Sequence, residues 1–182
     1  MKRVLVPVAP GFEEIETITV VDILRRSGAK VIIAGVCNGP IKGSRGIKVF
    51  PDESIDEIKT DGFDLVVLPG GQSGVEKLIA DHRISAILKE MTLNAKFIAA
   101  ICAAPLFLEA NGLLKNRKRT SHPSVKKILS GKLYSDDRVV VDGTIITSQS
   151  PGTAMEFSLR LVEILFGKDR VEKVNKGILA LL

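Results

Sequence analysis

A cysteine stands where a run of apolar residues ends. Residues 96–101 (KFIAAI) are predicted to form a buried strand, Cys102 follows directly, and residues 103–105 (AAP) begin a helix. A thiol at or just before a helix N-terminus meets free backbone amides and the positive end of the helix dipole, which favour the thiolate. Cysteine is also among the residues most often buried for packing alone. The spacing therefore leaves a reactive thiol and a structural thiol equally open.

Other polar or conformationally special residues also follow predicted strands. They are Glu13, Glu14 and Glu16 after the first strand, Gly70 and Gly71 after the middle strand, and residues 150–152 (SPG) after a late hairpin. Open parallel sheets bind ligands at the carboxyl ends of their strands, so one edge would collect all of these groups. For the carboxylates and glycines alone, ordinary turn chemistry is the simpler explanation. The cysteine at the same edge shifts the interpretation towards a site.

The elements that would position these groups alternate along the chain. Strand-like apolar runs and amphipathic stretches succeed one another, which is the α/β pattern and predicts a mostly parallel sheet with helices on both faces. The predicted strands cover 4–8, 30–36, 64–68 and 96–101, residues 40–50 form a short hairpin excursion, and 138–141 pairs with 144–147. A helical stripe with spacing i, i+3, i+4 and i+7 starts at Thr17 and stops at Gly28. We expect one domain over residues 1–182.

Composition excludes several classes of protein. The chain has 182 residues, is 45% hydrophobic and carries a net charge of +5. Its basic run at 115–119 has no interleaved aromatic residues, which favours a solvated surface over a nucleic-acid site. No apolar stretch approaches the length of a membrane span. Cys37 and Cys102 form neither a disulfide framework nor a zinc pattern, which predicts a reducing, cytoplasmic setting and no metal.

Five motifs, in order, resemble one family over essentially the whole chain. They are "PGFEEIET", "VVLPGG", "AAICAAP", "SHP" and "TSQSPGTAMEF". As a set they are similar to the ThiJ/PfpI superfamily, and within it to the DJ-type branch. The resemblance implies a flavodoxin-like three-layer sandwich and a homodimer. It makes Cys102 the nucleophile and Glu16 its buried partner, with His122 completing the site.

The resemblance also implies an activity. Members of the branch are associated with glutathione-independent conversion of methylglyoxal or glyoxal to 2-hydroxy acids, and with removal of such adducts from proteins, without a metal or cofactor. In that chemistry the backbone amides of Gly71 and Ala103 would stabilise the oxyanion. Gly70, Arg45 and Arg26 match positions near the family's substrate site or dimer contact, where the arginines would hold an anionic group or only solvate the surface.

Several residues have a plainer interpretation. An isolated loop histidine such as His122 is more often simply exposed, and His82 is assigned to the surface. Glu13 and Glu14 are expected at a solvated helix N-terminus. Cys37 is expected to be structural.

Three classes of function stay open. The first is a cysteine-dependent glyoxalase or deglycase, and the second is a redox sensor or chaperone-like stress protein that uses oxidation of Cys102. A cysteine peptidase or amidotransferase fits poorly. Peptidase relatives place a histidine directly after the nucleophile, where this chain has Ala103, and amidotransferases have a later His-x-Glu, whereas His122 precedes Pro123.

Overall fold

Side chains of the central strands alternate between two hydrophobic cores. The computed structural model describes residues 1–181. Val4 and Val6 pack into one core while Leu5, between them, packs into the other, and Val66 and Val67 divide in the same way. Because successive side chains of a strand point to opposite faces, a sheet apolar on both faces requires a helical layer on each side.

The sheet has seven strands and a separate ribbon has two. The strands are β1 (Arg3–Val8), β2 (Lys30–Gly35), β3 (Ile41–Lys42), β4 (Lys48–Val49), β5 (Glu53–Ser54), β6 (Leu65–Leu68), β7 (Phe97–Ile101), β8 (Val139–Asp142) and β9 (Ile145–Ser148). The sheet order is β5-β2-β1-β6-β7-β9-β8, parallel except for the β8–β9 hairpin, and β3 pairs with β4 in the ribbon. Both predicted hairpins are confirmed.

Helices cover both faces of the sheet. They are α1 (Glu14–Arg26), α2 (Gln72–Ala80), α3 (His82–Leu93), α4 (Pro105–Ala110), α5 (Lys126–Leu129), α6 (Ala154–Phe166) and α7 (Lys168–Ile178). Buried side chains of α1, α6 and α7 belong to one core, and those of α2, α3 and α4 to the other. The predicted flavodoxin-like sandwich is confirmed. None of the helices within residues 1–181 combines the length and the apolar character needed to cross a bilayer.

Helix α1 follows from its sequence signals. The carboxylate of Glu13 caps it by accepting the backbone N–H of Glu16 at 2.7 Å. Val20 and Leu24 lie on its buried stripe. Gly28, just after the helix, turns the chain away with a φ of +89°, a conformation that glycine adopts without strain. The capped end of α1 lies at the carboxyl end of β1, which brings Glu16 to the edge of the sheet where ligands are expected.

The β3–β4 ribbon folds back over the start of α1. The backbone N–H of Gly11 donates to the carbonyl of Lys42 at 2.8 Å, and the N–H of Ser44 donates to the carbonyl of Phe12 at 2.8 Å. These two bonds fasten the turn of the ribbon to the loop after β1. The turn therefore forms one wall of the same sheet edge.

Candidate active site

Cys102 occupies a strained turn between β7 and α4. Its φ is +66°, in the left-handed region that few residues other than glycine adopt, at a cost of about 1–3 kcal/mol. Two backbone bonds hold it there: the N–H of Cys102 donates to the carbonyl of Ser148 at 3.0 Å, and its carbonyl accepts from the N–H of His122 at 2.8 Å. Cys102 is therefore held at the carboxyl end of the sheet by strand β9 and by the loop that carries His122.

Glu16 lies fully buried against this thiol. Its Oε2 accepts the backbone N–H of Gly70 at 2.8 Å, and its carboxyl is close enough to the thiol of Cys102 for each group to influence the pKa of the other. Oε1 has no hydrogen-bond partner within residues 1–181. An unmatched buried carboxyl oxygen is costly unless the group is protonated or meets a ligand, so the carboxyl is suited to exchanging a proton at this point.

Gly70 lies between the side chains of Glu16 and Cys102, where there is no room for a Cβ atom. A Cβ at this position would lie 2.6 Å from the Cβ of Cys102 and would also meet Oε2 of Glu16. Gly70 is buried beneath the site and does not line the open space above it. Its predicted contact with substrate stays a prediction, and in the structure the absence of a side chain lets the carboxyl and the thiol approach each other.

Burial raises the pKa of both acidic groups, and the carboxyl of Glu16 raises that of Cys102 further. Burial raises the pKa of Glu16 to about 7. Burial, followed by the charge of Glu16 and the hydrogen bond with it, raises the pKa of Cys102 to about 12, although the backbone amides of Gly71 and Ala103 act in the opposite direction. The pair therefore resists losing both protons and retains at least one near neutral pH.

The start of helix α4 does not by itself make Cys102 a thiolate. The sequence predicted that effect, but the buried position and the nearby carboxylate outweigh the amides while Glu16 is ionised. Protonation of Glu16 removes its negative charge from the thiol. A proton that moves from Cys102 to Glu16 thus creates the thiolate without placing two charges side by side.

Two backbone amides converge on the sulfur. The N–H groups of Gly71 and Ala103 lie near the side chain of Cys102 and act to lower its pKa. Gly71 has a φ of +88°, and a Cβ there would collide with the carbonyl oxygen of Gly11. Glycine is thus required both for the turn after β6 and for its close contact with the loop after β1.

The thiol opens onto a pocket of about 760 Å³. The predicted residues Cys102, Gly71, Ala103, His122 and Arg45 all line it. Within residues 1–181, no group of three or more His, Cys, Asp or Glu side chains is arranged to hold a metal ion.

His122 is half-buried at the rim of this pocket. Its Nδ1 accepts the backbone N–H of Ser124 at 3.1 Å and lies 2.8 Å from the hydroxyl of Ser124. Because Nδ1 is used as an acceptor, the neutral ring carries its proton on Nε2. His122 therefore has a donor N–H at Nε2 and lines the pocket, and Glu16, which lies against Cys102, is the better placed base. His82 is exposed on α3, as predicted.

Glu14 corrects one prediction. It is buried rather than solvated, accepting the hydroxyl of Ser44 at 2.9 Å and the backbone N–H of Arg45 at 2.6 Å. Burial alone would raise the pKa of Glu14, but these bonds and a further one from Ile47 lower it. Glu14 thus holds the turn of the β3–β4 ribbon at the pocket. The crowding of Gly43 against its carboxyl shows the same fit, although no local sequence signal marks it.

Arg26 and Cys37 both lie outside the pocket. Arg26 pairs with Asp22 at 2.7 Å in the last turn of α1, ten residues or about 15 Å along the helix from Glu16, and it does not line the pocket. Within a single chain this position favours the alternative that Arg26 solvates the surface. Cys37 is exposed beyond the end of β2, so its predicted structural role is wrong.

The sequence did not indicate Lys42 and Lys77, which also line the pocket. Lys42 comes from β3 and Lys77 from α2, so 35 positions separate them along the chain. Only the folded ribbon brings them to one wall.

The fold and the site together define a class of protein: a flavodoxin-like α/β protein with a cysteine on a strained turn beside a buried glutamate. A family model described as the DJ-1/PfpI family matches residues 2–164. The chain belongs to the DJ-1/PfpI family.

Individual relatives agree with this assignment. Protein DJ-1 homolog A of Arabidopsis thaliana is 44% identical over 97% of this chain, although the chain spans only 46% of that protein, about half its length. A Caenorhabditis elegans relative named glutathione-independent glyoxalase DJR-1.2 is 39% identical, with 91% of this chain and 89% of that protein covered. The crystal structure of Drosophila melanogaster DJ-1beta superposes with a TM-score of 0.95 and 42% identity, over 100% of this chain and 99% of that one.

Proposed function

We propose that this protein is a cysteine-dependent, glutathione-independent glyoxalase that converts methylglyoxal or glyoxal to a 2-hydroxy acid. The observation that carries the proposal is the buried pair of Glu16 and Cys102, which meets two amide donors at the floor of an open pocket. The name of the Caenorhabditis elegans relative supports the same reaction class.

The first step is addition of the thiolate. The thiol proton of Cys102 moves to Glu16, a C–S bond forms to the aldehyde carbon, and the carbonyl electron pair moves onto oxygen. The amides of Gly71 and Ala103, already directed at the sulfur, are next to the new oxyanion and can stabilise it. Nε2–H of His122 offers a further donor to a substrate oxygen.

The second step is an internal oxidation and reduction. Glu16 first gives the proton it received from the thiol to the oxyanion, which becomes a hydroxyl. As a carboxylate, it then removes the proton from the former aldehyde carbon and delivers it to the neighbouring ketone carbon, while the hydroxyl proton moves from the first oxygen to the second. The first carbon becomes a thioester and the second an alcohol, so no external oxidant is required. A carboxyl group with a pKa of about 7 is suited to both directions of this transfer near neutral pH.

The third step is hydrolysis. Water attacks the thioester, the C–S bond breaks, and lactate leaves when the substrate is methylglyoxal, or glycolate when it is glyoxal. The proton returns to the sulfur of Cys102. A carbinolamine adduct on a protein amine would enter the same sequence when its C–N bond breaks, which releases the protonated amine and leaves the aldehyde carbon to the thiolate of Cys102.

The test is turnover of methylglyoxal without glutathione and with a chelator present. Lactate should form, and Cys102→Ser or Glu16→Gln should lower kcat/KM by at least about 10²-fold, the lower range for a positioned acid–base group. Cys37→Ser is the matched control, because that thiol is exposed and outside the pocket. No lactate from the parent, or variants of Cys102 and Glu16 that are as fast as the parent, would overturn the proposal.

A redox-sensing or chaperone-like role is the second candidate, and the unmatched Oε1 of Glu16 favours it. A protonated Glu16 and the amides of Gly71 and Ala103 would donate hydrogen bonds to the oxygens of a sulfinate on Cys102. Mass spectrometry after mild peroxide should then find Cys102 oxidised before Cys37. Cys37 is the more exposed thiol, so exposure alone would favour its oxidation. Oxidation of Cys37 before Cys102 would therefore count against a sensing role.

A homodimer is part of the same proposal. Exposed apolar side chains lie on α1 and on either side of β4, in the ribbon that folds over the start of α1: Ile15 is 56% exposed, Ile47 is 58% exposed and Phe50 is 74% exposed. Exposed apolar groups that form a patch mark an interaction surface. Light scattering should give twice the chain mass, and Phe50→Glu should shift the protein towards monomer. A monomeric parent would contradict this part.

A further inference from the structure

The pocket above Cys102 is larger than a three-carbon aldehyde requires. Its volume of about 760 Å³ lies in the range of roughly 300–1,000 Å³ that holds drug-sized ligands. Methylglyoxal bound to the sulfur would occupy only the floor. A longer substrate with its dicarbonyl end at Cys102 would extend to the residues of the rim.

The rim carries three cations. Lys42, Arg45 and Lys77 line the pocket, and none of them takes part in an ion pair with the described residues. The ammonium of Lys77 donates only to neutral groups, the carbonyl of Pro10 at 2.9 Å and the hydroxyl of Ser73 at 2.7 Å. These positive charges are available to a ligand.

The acidic side chains near the pocket are either hydrogen-bonded within the protein or buried. Among the described residues, Glu13 is the one carboxylate in the lining, and it caps α1 through the N–H of Glu16. Glu14 lies behind the turn, where three donors from that turn surround its carboxylate. Glu16 is buried beneath the floor with Cys102. The open face of the pocket therefore presents more positive than negative charge.

We infer, on the basis of the proposed glyoxalase reaction, that this pocket prefers 2-oxoaldehydes that carry an anionic group a few bonds from the dicarbonyl end. The dicarbonyl end meets Cys102 and Glu16, and the anionic group meets Lys42, Arg45 and Lys77. For 4,5-dioxopentanoate the reaction adds one water and yields 2-hydroxyglutarate, with the aldehyde carbon oxidised and the ketone carbon reduced as before.

The test compares substrates that differ in charge but not in carbon number. Steady-state kinetics give kcat/KM for the anion 4,5-dioxopentanoate and for uncharged 2-oxopentanal, with methylglyoxal as the reference for the basic activity. We expect the anion to be preferred by about three- to tenfold at low salt, the combined size of a few exposed ion pairs. Raising the salt to 1 M, where the Debye length is only about 3 Å, should abolish the preference.

Matched variants locate the effect. Lys42→Met with Lys77→Met should reduce the preference towards one, and Lys42→Met alone should reduce it in part without disturbing the contacts of Lys77. The control is Lys173→Met with Lys176→Met, which removes the same charge from the exposed surface of α7. The control should keep the parent's ratio, and an equal fall in the control would overturn the inference.

The outcomes separate this inference from the proposed function. Turnover of methylglyoxal with equal kcat/KM for the two five-carbon substrates overturns the inference and leaves the glyoxalase proposal standing. If no aldehyde is turned over, protection of Cys102 from iodoacetamide decides. Better protection by 2-hydroxyglutarate than by 2-hydroxypentanoate supports the basic rim, and equal protection overturns it.

Discussion

Gly70→Ala tests whether the close approach of Glu16 and Cys102 is what the site depends on. The added methyl would lie 2.6 Å from the Cβ of Cys102, so the two must move apart by about 0.8 Å to reach the 3.4 Å of an ordinary contact. The same methyl meets Oε2 of Glu16. Because the φ of Gly70 lies outside the left-handed region, alanine is strained there only by these contacts.

The magnitude follows from that displacement. A misplacement of about 1 Å in a catalytic group can cost about 10² in rate, and overpacking of this kind lowers the free energy of unfolding by about 1–3 kcal/mol. We therefore expect Gly70→Ala to remain folded and to lose about 10²-fold in kcat/KM for methylglyoxal. Steady-state kinetics and chemical denaturation measure the two effects.

Gly152→Ala is the control near the same sheet edge. A Cβ at Gly152 has the hydroxyl of Ser150 as its nearest contact, at an ordinary 3.8 Å. This variant should keep the parent's kcat/KM. Parent-like kinetics in Gly70→Ala, with denaturation unchanged, would refute the reasoning about the pair.

Three further predictions concern the groups around the pair. The pKa of Glu16 is raised in the folded protein to about 7, so the stabilisation from its protonated carboxyl is complete below about pH 4.5 and is lost as the pH rises to about 7. Across that window the parent should lose roughly 3 kcal/mol of unfolding free energy relative to Glu16→Gln. A difference in unfolding free energy between the two proteins that does not change with pH would contradict this prediction. Glu14→Ala removes the acceptor of three donors in the turn of the ribbon. It should speed hydrogen exchange at the amide of Arg45 and lower the free energy of unfolding by about 1–3 kcal/mol. Glu172→Ala, at an exposed position of α7, is the control, and unchanged protection of the Arg45 amide would refute the role of Glu14 in holding the turn. His122→Ala should lower kcat/KM by roughly tenfold, the value of one lost donor, while His122→Gln, which retains an N–H, should recover part of the rate; equal rates for His122→Ala and the parent would contradict its contribution.

Groups that follow parallel strands were the ones the sequence could place. Cys102 and Gly71 each end a recognisable strand, and a parallel sheet brings such ends to one edge, so their proximity follows from topology. Glu16 lies three residues past a capping acid on the helix after the first strand. Its burial against the thiol of Cys102 could be anticipated only from the family resemblance.

The features of the site that the sequence missed share a physical cause, which is contact between segments distant in the chain. Glu14 is buried only because the β3–β4 ribbon folds over it, and Lys42 and Lys77 line one pocket for the same reason. The raised pKa of Cys102 depends on burial and then on the carboxyl of Glu16, 86 positions away. Local spacing carries no record of such contacts.

Detection of the substrate on the sulfur would test nucleophilic catalysis by Cys102 without relying on a variant. The protein is mixed with methylglyoxal, the reaction is quenched in acid during turnover, and the protein is digested. Mass spectrometry then gives the masses of the peptides that contain Cys102 and Cys37. We expect a transient mass increase of one methylglyoxal on the Cys102 peptide, absent from the Cys37 peptide, that rises and decays as lactate forms. Lactate formation while Cys102 stays unmodified, or with Cys102→Ser in place, would contradict nucleophilic catalysis by this thiol.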